Sequence, residues 1–272
     1  MNKISKNTKS QEWQYSDIRD TSYDVSPKVA IAKAIETGLI TENAPIPIIG
    51  QGKEAIVFYG LNEHDQWVVV KMYKLYNSVH RQILLHTPFT HPFDVLKEFP
   101  NKEFSVLTAL HKNSIPVPAP YTLNEFGYSM SLIGNDLGPA PLLANVNKRL
   151  IVEASDLLED CIEILRDMFT NAHYVHGDFS EHNLLYHNEK IYVIDFLQSE
   201  HFLLSENVTY GSKSIRLSEA YEILKKDIHN TIKFFEKSYR IYVDFNDVLE
   251  YCIGDYRKHI DRVNEIRIES DL

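Results

Sequence analysis

Three polar residues in the second half of the chain have the types and the spacing that phosphoryl transfer needs. Asp178 and Asn183 lie close together in the segment His176-Gly-Asp-Phe-Ser-Glu-His-Asn183, and Asp195 follows in Tyr192-Val-Ile-Asp195. One carboxylate can orient a hydroxyl group and accept its proton. An amide and a second carboxylate can bind Mg²⁺ on a triphosphate. The segment therefore predicts a site for transfer of a phosphoryl group.

The same residue types also occur in polar turns, because Asp and Asn are common turn formers. Asp195 argues against a simple turn, since it closes the apolar segment Ile191-Tyr-Val-Ile194, where an unpaired carboxylate is costly. The spacing from Asp178 to Asn183 and on to Asp195 is that of a kinase catalytic loop and its metal-binding aspartate. His176 is expected to brace this loop through a backbone hydrogen bond and not to do chemistry.

A glycine turn in the first half of the chain could approach phosphates. Gly50 and Gly52 are followed by Lys53, Glu54 and Ala55, between two predicted strands. Glycines allow a backbone to come close to phosphate groups. With only two glycines, the segment alone also fits a hairpin turn.

Lys71 ends the apolar segment Val68-Val-Val and follows this turn. A lysine here can bind the α- and β-phosphates of a nucleotide, although strand-end lysines also commonly extend into solvent. A phosphate-binding lysine needs a carboxylate to hold it. We expect Glu103, on a predicted helix, to have this role, with Glu98 as the alternative. Each of them also fits an exposed helix charge.

The surrounding elements are predicted from hydrophobic periodicity. Apolar or β-branched segments predict strands at 46–50, 55–59, 67–72, 121–122, 128–133, 184–186 and 191–194. Helical spacing predicts helices at 26–39, 96–110, 150–169, 218–237 and 245–266. The first helix has Gly38 as its stop, and its apolar face consists of Val29, Ile31, Ala32, Ile35 and Leu39. Ser218-Glu219 is a predicted cap of the fourth helix. Residues 75–97 are interpreted as a long loop or a short irregular helix.

These features occur in the order that a bilobal kinase requires: first the glycine turn, then the lysine, then the glutamate, and last the Asp/Asn/Asp set. We therefore predict an α+β, bilobal protein-kinase-like fold with a β-rich N-lobe and a mainly helical, shortened C-lobe. The predicted divisions are an N-terminal extension with one amphipathic helix (1–43), the N-lobe (44–133) and the C-lobe (134–272). The absence of alternating strands and helices argues against a Rossmann fold.

With these residues in view, the chain resembles the RIO family of atypical protein kinases over roughly residues 30–240. Gly52-Lys-Glu-Ala55 is similar to that family's shortened phosphate loop. In the catalytic loop Ser180-Glu181 precedes Asn183, and Gln198 follows Asp195 by three residues, as in the family's metal-binding strand. The segment Ala34–Ile40 looks more like the first RIO subfamily, whereas Gly177-Asp-Phe179 leans to the second.

The resemblance implies a role for each matching position. Asp178 would be the catalytic acid/base residue, and Asn183 and Asp195 would bind Mg²⁺, for which Mn²⁺ could substitute. Asp195 could also accept phosphate, because a carboxylate can act as a nucleophile. The implied cofactor is ATP. Its binding residues would be Gly50, Gly52, Lys53, Glu54, Ala55, Lys71 with its ion-pair partner Glu103, and Met130, Leu132 and Ile133 at the hinge and adenine pocket.

The family also implies an ATPase and self-phosphorylating serine kinase acting in maturation of the small ribosomal subunit, with pre-ribosomal protein and rRNA as partners. This chain departs from the family in two respects. Residues 75–97, a basic loop in the family, are rich in His and apolar residues here, so Ser78, Thr87 and Thr90 are only candidates for self-phosphorylation. The net charge of −10 opposes strong non-specific nucleic-acid binding, although Arg257, Lys258, Arg262 and Arg267 could form a local basic face.

Two other functions stay open from the sequence. A small-molecule phosphotransferase of the aminoglycoside or choline kinase type shares the His-Gly-Asp, Asn and Ile-Asp-Phe pattern, but lacks the features at 52–55, 180–181 and 198. A nucleotide-binding pseudokinase that serves as an assembly switch is disfavoured by the complete set of Lys71, Asp178, Asn183 and Asp195. An ordinary protein kinase is rejected, because Phe196-Leu197 follows Asp195 and no Ala-Pro-Glu motif occurs.

Composition sets the broader class. The chain has 272 residues with 44% hydrophobic and 24% charged residues, which is typical of a globular protein and excludes disorder as the main state. Its two cysteines, Cys161 and Cys252, have no metal-ligand spacing and are predicted to be buried free thiols. Neither a transmembrane segment nor a hydrophobic signal region is recognised, so we expect a cytoplasmic protein without a membrane partner.

Overall fold

A computed structural model of the chain describes residues 26–52, 54–74, 92–135, 138–151, 153–203 and 210–261. Lys53 and the predicted loop up to residue 91, with Ser78, Thr87 and Thr90, lie outside these ranges. So do the first 25 residues and the arginines Arg262 and Arg267.

The first lobe is built on one antiparallel sheet. Its spatial order is β1-β2-β3-β5-β4, so β3 and β5 pair although a helix and β4 separate them in sequence. The strands are β1 (Ile48–Gln51), β2 (Ala55–Leu61), β3 (Trp67–Tyr73), β4 (Pro120–Leu123) and β5 (Gly127–Ser131), with helix α2 (Pro92–Lys112) between β3 and β4. Helix α2 is longer than the predicted 96–110.

Helix α1 (Pro27–Glu36) covers one face of this sheet. Ser26 caps its N-terminus, and Gly38, at φ 74°, ends it by donating to the Ile35 carbonyl, which confirms the predicted stop. The predicted apolar face was partly wrong, because Val29 is 57% exposed, whereas Ala30 is fully buried. Ala30 and Ala34 face the sheet, and because their side chains are small, the helix can lie close to it.

Side chains alternate between the two faces of β2 and β3, as the two-residue period of a strand requires. Ile56, Phe58, Val68, Val70 and Met72 pack with α1 in one apolar cluster. The residues between them, which include Val57 and Val69, face the second lobe. Lys71 shares that second face because it is two residues from Val69.

The second lobe is mainly helical, and its elements pack in one large apolar core that also reaches α2. Its helices are α3 (Ala154–Thr170), α4 (Tyr210–Tyr239) and α5 (Phe245–Ile253), with short 3₁₀ segments at Leu143–Asn145, Lys148–Leu150 and Gly254–Tyr256. Its short strand pairs are β6 (Gly134–Asn135) with β7 (Gly138–Pro139), β8 (Tyr174–Val175) with β11 (Glu200–His201), and β9 (Leu184–His187) with β10 (Lys190–Val193). The segregation of sheet and helices confirms the predicted α+β, two-lobed fold.

Two helix boundaries differ from the prediction. Helix α4 begins at Tyr210, so Ser218 lies inside it and cannot be its cap. The last predicted helix, 245–266, is interrupted at Gly254, whose φ of 48° is left-handed. Cys161 and Cys252 are free and buried, as predicted. Within the described ranges, no helix is both long and apolar enough to cross a membrane.

Candidate active site

A cavity of about 450 Å³ lies between the two lobes. The sheet contributes Gly50, Val57, Val69 and Ser131, and the segment after β5 contributes Ile133. The C-lobe contributes residues of the catalytic loop and the hairpin, including Asn183, Leu185, Ile194 and Asp195, and Met130 also lines the space. Of the predicted hinge residues, Met130 and Ile133 line this cavity and Leu132 does not. A mostly apolar cavity with a few polar groups is typical of a small-molecule or cofactor site.

The glycine turn closes one edge of this cavity. Gly50 is opposite Val57 in the β1–β2 pair, and the Gly52 N–H donates to the Ala55 carbonyl at 3.1 Å. The Glu54 carbonyl accepts the Lys74 N–H at 2.7 Å, which fixes the turn on the sheet. Lys53 lies outside the described residues. Gly50 lines the cavity, whereas Gly52, Glu54 and Ala55 are not among its lining residues.

Lys71 lies between two carboxylates. Its Nζ is 2.8 Å from Glu103 Oε1 and 3.0 Å from Asp195 Oδ1. The strand β3 and helix α2 position the first pair, and the segment after β10 brings in Asp195 from the other lobe. The preferred partner Glu103, and not the alternative Glu98, thus pairs with Lys71 in this structure. One ammonium group thus links the two lobes next to Asp195, which lines the cavity, whereas Lys71 and Glu103 are not among its lining residues.

Glu103 is fully buried and makes further hydrogen bonds. Tyr73 donates its hydroxyl to Glu103 Oε2, and the Phe196 N–H donates to Oε1 at 2.9 Å. Neither contact was foreseen from the sequence. Because a buried carboxylate is costly unless it is paired, these donors stabilise its charged form.

The charges in this cluster shift one another's pKa values. Burial alone would lower the pKa of Lys71, but the carboxylates of Glu103 and Asp195 outweigh it and hold the pKa above its usual value. Burial would raise the pKa of Asp195, and the nearby Lys71 ammonium overcomes this, so the pKa is lowered. Lys71 is therefore a cation and Asp195 an anion at neutral pH.

The catalytic loop brings Asp178 and Asn183 together. Asn183 Nδ2 donates to both the carbonyl and Oδ2 of Asp178, each at 2.9 Å. Since the amide nitrogen is used in this way, the Asn183 oxygen is the atom left to act as a ligand. The Ile194 N–H donates to the Asn183 carbonyl at 3.0 Å, which places the loop beside Asp195.

Asp227, a buried residue of α4, binds the backbone of the catalytic loop. Its carboxylate accepts the Gly177 N–H at 2.9 Å and the Phe179 N–H at 3.1 Å. Burial raises the pKa of Asp227, and these two N–H donors oppose that shift. No role was predicted for Asp227, which lies in the predicted helix 218–237. A carboxylate among apolar helix positions was the available signal.

His176 and Gly177 fix the path of the loop. His176 is buried, its Nδ1 accepts the Asp178 N–H at 3.2 Å, and its Nε2 lies 3.2 Å from the Ile194 carbonyl. This confirms the predicted bracing role and selects the neutral tautomer that carries its proton on Nε2. Gly177 has φ 84°, and a Cβ there would lie 2.7 Å from the Gln198 carbonyl oxygen. Only glycine fits that position without strain.

These groups fit a magnesium nucleotide. The described residues contain no cluster of three or more His, Cys, Asp or Glu side chains that could hold a metal ion. Mg²⁺ on a nucleotide usually takes one or two protein oxygens and completes its shell with phosphates and water. The Asp195 carboxylate and the Asn183 amide oxygen are two oxygens that could hold such an ion, and the Lys71 ammonium is a cation that could contact phosphates.

The fold and the cavity define a protein-kinase-like domain of the α+β class. A family model of the RIO domain (RIO1) matches residues 56–248. The chain therefore belongs to the RIO family, as its resemblance to that family predicts.

Curated relatives agree with this assignment. The chain is 29% identical over 253 residues to human "Serine/threonine-protein kinase RIO1", covering 86% of this chain and 42% of that protein. It is 31% identical over 191 residues to "Probable serine/threonine-protein kinase RIO1 homolog" of Encephalitozoon cuniculi, covering 65% and 45%. The chain thus spans less than half the length of these relatives. Their names support the predicted similarity to the first RIO subfamily.

Solved structures share the fold. The crystal structure of the Rio2 kinase–ADP/Mg²⁺–phosphoaspartate complex from Chaetomium thermophilum superposes with a TM-score of 0.57 at 21% identity, covering 88% of this chain and 69% of that one. A second structure of the same kinase gives a TM-score of 0.56 at 19% identity. These likenesses confirm the kinase-like architecture.

Proposed function

We propose that this chain is an ATP-dependent phosphotransferase, a RIO-type serine/threonine kinase or ATPase. In this proposal it transfers the γ-phosphate of ATP to a serine hydroxyl, its own included, or to water. The observation that carries the proposal is the pairing of Lys71 and Glu103 with Asp195, which lines the interlobe cavity together with Asn183. The relatives named as serine/threonine-protein kinases support it.

In the proposed mechanism, Lys71 binds the phosphates and Glu103 keeps its ammonium group pointed into the cavity. Asp195 and Asn183 would hold Mg²⁺, which would neutralise charge on the phosphates when bound. Asp178 accepts a hydrogen bond from the attacking hydroxyl and takes its proton as the hydroxyl oxygen bonds to the γ-phosphorus, while the bond to the β-phosphate oxygen breaks and ADP leaves. The Asn183 amide orients the Asp178 carboxylate for that task. Mn²⁺ could replace Mg²⁺ at the same oxygens.

Asp195 can instead accept the phosphoryl group itself. One of its oxygens would attack the γ-phosphorus, the bond to the β-phosphate oxygen would break, and ADP would leave. Water would then hydrolyse the acyl phosphate and return the carboxylate. The similar Rio2 kinase was crystallised as a complex of ADP, Mg²⁺ and phosphoaspartate, which supports this step as part of the proposal.

The proposal also includes a biological setting. The names of the relatives support placing the chain among kinases of the first RIO subfamily, and through that family resemblance we propose a role in small ribosomal subunit maturation. A cytoplasmic location agrees with two free, buried cysteines, which are typical of reducing compartments. The division into an extension (1–43), an N-lobe (44–133) and a C-lobe (134–272) is likewise retained as a proposal.

The proposed function is tested by measuring phosphate release from Mg·ATP with the wild-type chain and with the Asp178→Ala variant. The wild-type chain should turn over ATP or label itself, and Asp178→Ala should lower the rate by a factor of about 10² to 10⁴, because the proton acceptor is gone. Binding of Mg·ATP should persist in this variant. Asp156→Ala, at an exposed position on α3, is the matched control and should keep wild-type turnover. Normal turnover by Asp178→Ala would refute the assigned role.

A further inference from the structure

A second cavity, of about 460 Å³, adjoins the catalytic loop. The loop residues Ser180, Glu181 and His182 form one side of it. Helix α4 forms another side from Asn230 to Ser238, and the 3₁₀ segments around Lys148 close it. His182 also lines the interlobe cavity, so the two cavities meet at the loop that carries Asp178. We call this second cavity the basic cleft.

Positive charge dominates the basic cleft. It contains Lys148, Lys233 and Lys237 against the single carboxylate of Glu181. The ion pairs found among the described residues do not involve Lys233 or Lys237. Lys148 Nζ lies 5.9 Å from the centre of the Tyr239 ring. The chain as a whole has a net charge of −10, so this local excess opposes the overall composition.

The lysines are arranged along one face of α4. Lys226, Asn230, Lys233 and Lys237 follow one another at intervals of four, three and four residues, which places them on the same side of a helix. Lys226 Nζ donates to the Gly177 carbonyl at 3.0 Å, which fixes the start of this row at the catalytic loop. Lys233 and Lys237 are like charges four residues apart, and such pairs repel. An anionic ligand would remove that repulsion.

We propose that the basic cleft binds an acidic segment of the protein that accepts the phosphoryl group. Carboxylates or phosphoserines near the acceptor hydroxyl would pair with Lys233, Lys237 and Lys148, while the hydroxyl reaches Asp178 past His182. Asn230 and Ser238 can hydrogen-bond a peptide backbone, and Phe234 gives an apolar contact. The inference rests on the proposed function, and it names the substrate class of that site.

A peptide fits the cleft better than RNA does. Glu181 lies inside the cleft, and its Oε1 is 3.9 Å from His182 Nε2. A continuous phosphate backbone would pass this carboxylate and be repelled, whereas a peptide can place a neutral residue there. RNA recognition also relies on aromatic or guanidinium stacking surfaces, and the cleft offers lysines with one phenylalanine.

Fluorescence anisotropy on the full chain, without nucleotide, tests the inference. One probe is a short labelled peptide with glutamates on both sides of a serine, and the other has glutamines in their place. The glutamate peptide should bind more tightly, and added salt should weaken it. The double change Lys233→Gln with Lys237→Gln should weaken its binding by about fivefold, since each exposed ion pair contributes modestly. Lys148→Gln, on the other side of the basic cleft, should also weaken binding of the glutamate peptide.

The double change Lys225→Gln with Lys258→Gln is the matched control, because it removes the same charge outside the cleft. It should leave peptide binding unchanged. Equal binding of the two peptides, or equal loss in both double variants, would overturn the inference. Tighter, cleft-dependent binding of a single-stranded RNA oligonucleotide would also overturn it and assign the cleft to nucleic acid. Because binding is measured without ATP, these outcomes are independent of whether the chain transfers phosphate.

Discussion

The backbone N–H of Phe196 donates to Glu103 Oε1 at 2.9 Å, although the two residues belong to different lobes. The same oxygen lies 2.8 Å from Lys71 Nζ. Glu103 therefore positions both the phosphate-binding cation and the main chain next to Asp195. A single buried carboxylate organises groups from β3, from α2 and from the segment after β10.

We predict that Lys71→Met destabilises the fold as well as the nucleotide site. Glu103 is fully buried and the Lys71 side chain is only 11% exposed, so removal of the cation leaves a buried charge without its partner. Breaking such a pair typically lowers the free energy of unfolding by about 3–5 kcal/mol. Urea unfolding at neutral pH would measure the loss.

The double variant Lys71→Met with Glu103→Gln provides the control for this prediction. It removes both charges, so it should recover much of the stability that Lys71→Met loses while still failing to bind nucleotide phosphates. The single variant Glu103→Gln completes the comparison. If the double variant loses as much unfolding free energy as Lys71→Met and Glu103→Gln together, the two residues are not coupled.

A second prediction concerns the proposed metal ligand. Asp195→Asn should lower the Mg²⁺-dependent part of nucleotide affinity by at least about tenfold, because a charged oxygen is replaced by a neutral one. Asparagine is chosen because Asp195 has φ 67°, a left-handed conformation that Asn tolerates and Ala does not. Calorimetric titration of ADP with Mg²⁺ and with chelator would show the difference.

Asp156→Asn on the exposed side of α3 serves as the comparison variant and should bind like wild type. If Asp195→Asn retains the full effect of Mg²⁺ on ADP affinity, Asp195 does not bind the metal. The result does not depend on turnover, so it separates metal binding from the acid/base role of Asp178.

A third prediction follows from His176. Burial lowers the pKa of His176 below its model-compound value of 6.5, and the charge of Asp227 opposes part of that shift. The unfolded chain then binds more protons than the folded one below about pH 6.5. The contribution of His176 to stability is therefore complete above that pH and declines as the pH falls through the folded-state pKa.

His176→Gln keeps an amide donor and acceptor in the loop but cannot titrate. The drop in unfolding free energy between about pH 7.5 and pH 5 should be smaller in this variant than in wild type. Urea midpoints at the two pH values give the comparison. Identical pH dependence would mean that His176 is protonated equally in both states.

The polar centre of the site was predictable from the sequence because its members are local or strictly ordered. Asp178 and Asn183 belong to one short loop, and Asp195 ends the adjacent hairpin, so their meeting follows from chain connectivity. Glu103 shares a helical face with Leu107 and Leu110, which are both fully buried, and this spacing explains why Glu103 points inward.

Contacts between distant segments could not be predicted in this way. Tyr73 and Asp227 touch the site through tertiary packing, and nothing in their sequence neighbourhood specifies a partner. Helix boundaries failed for a different reason. Ser218 is a good cap by type, but a cap-forming residue type does not by itself fix where a helix begins, and α4 begins at Tyr210. The assignment of individual site residues stays a prediction.

Helix α2 is also attached to the segment that follows Asp195 through Lys102, whose Nζ donates to the Leu197 carbonyl at 2.8 Å. With the Phe196 N–H bound to Glu103, two consecutive backbone groups after Asp195 are tied to one helix. Outward rotation of that helix would leave a buried carboxylate without its donors and would pull the proposed metal-binding aspartate away at the same time. The position of α2 in the first lobe therefore fixes the position of Asp195 in the second.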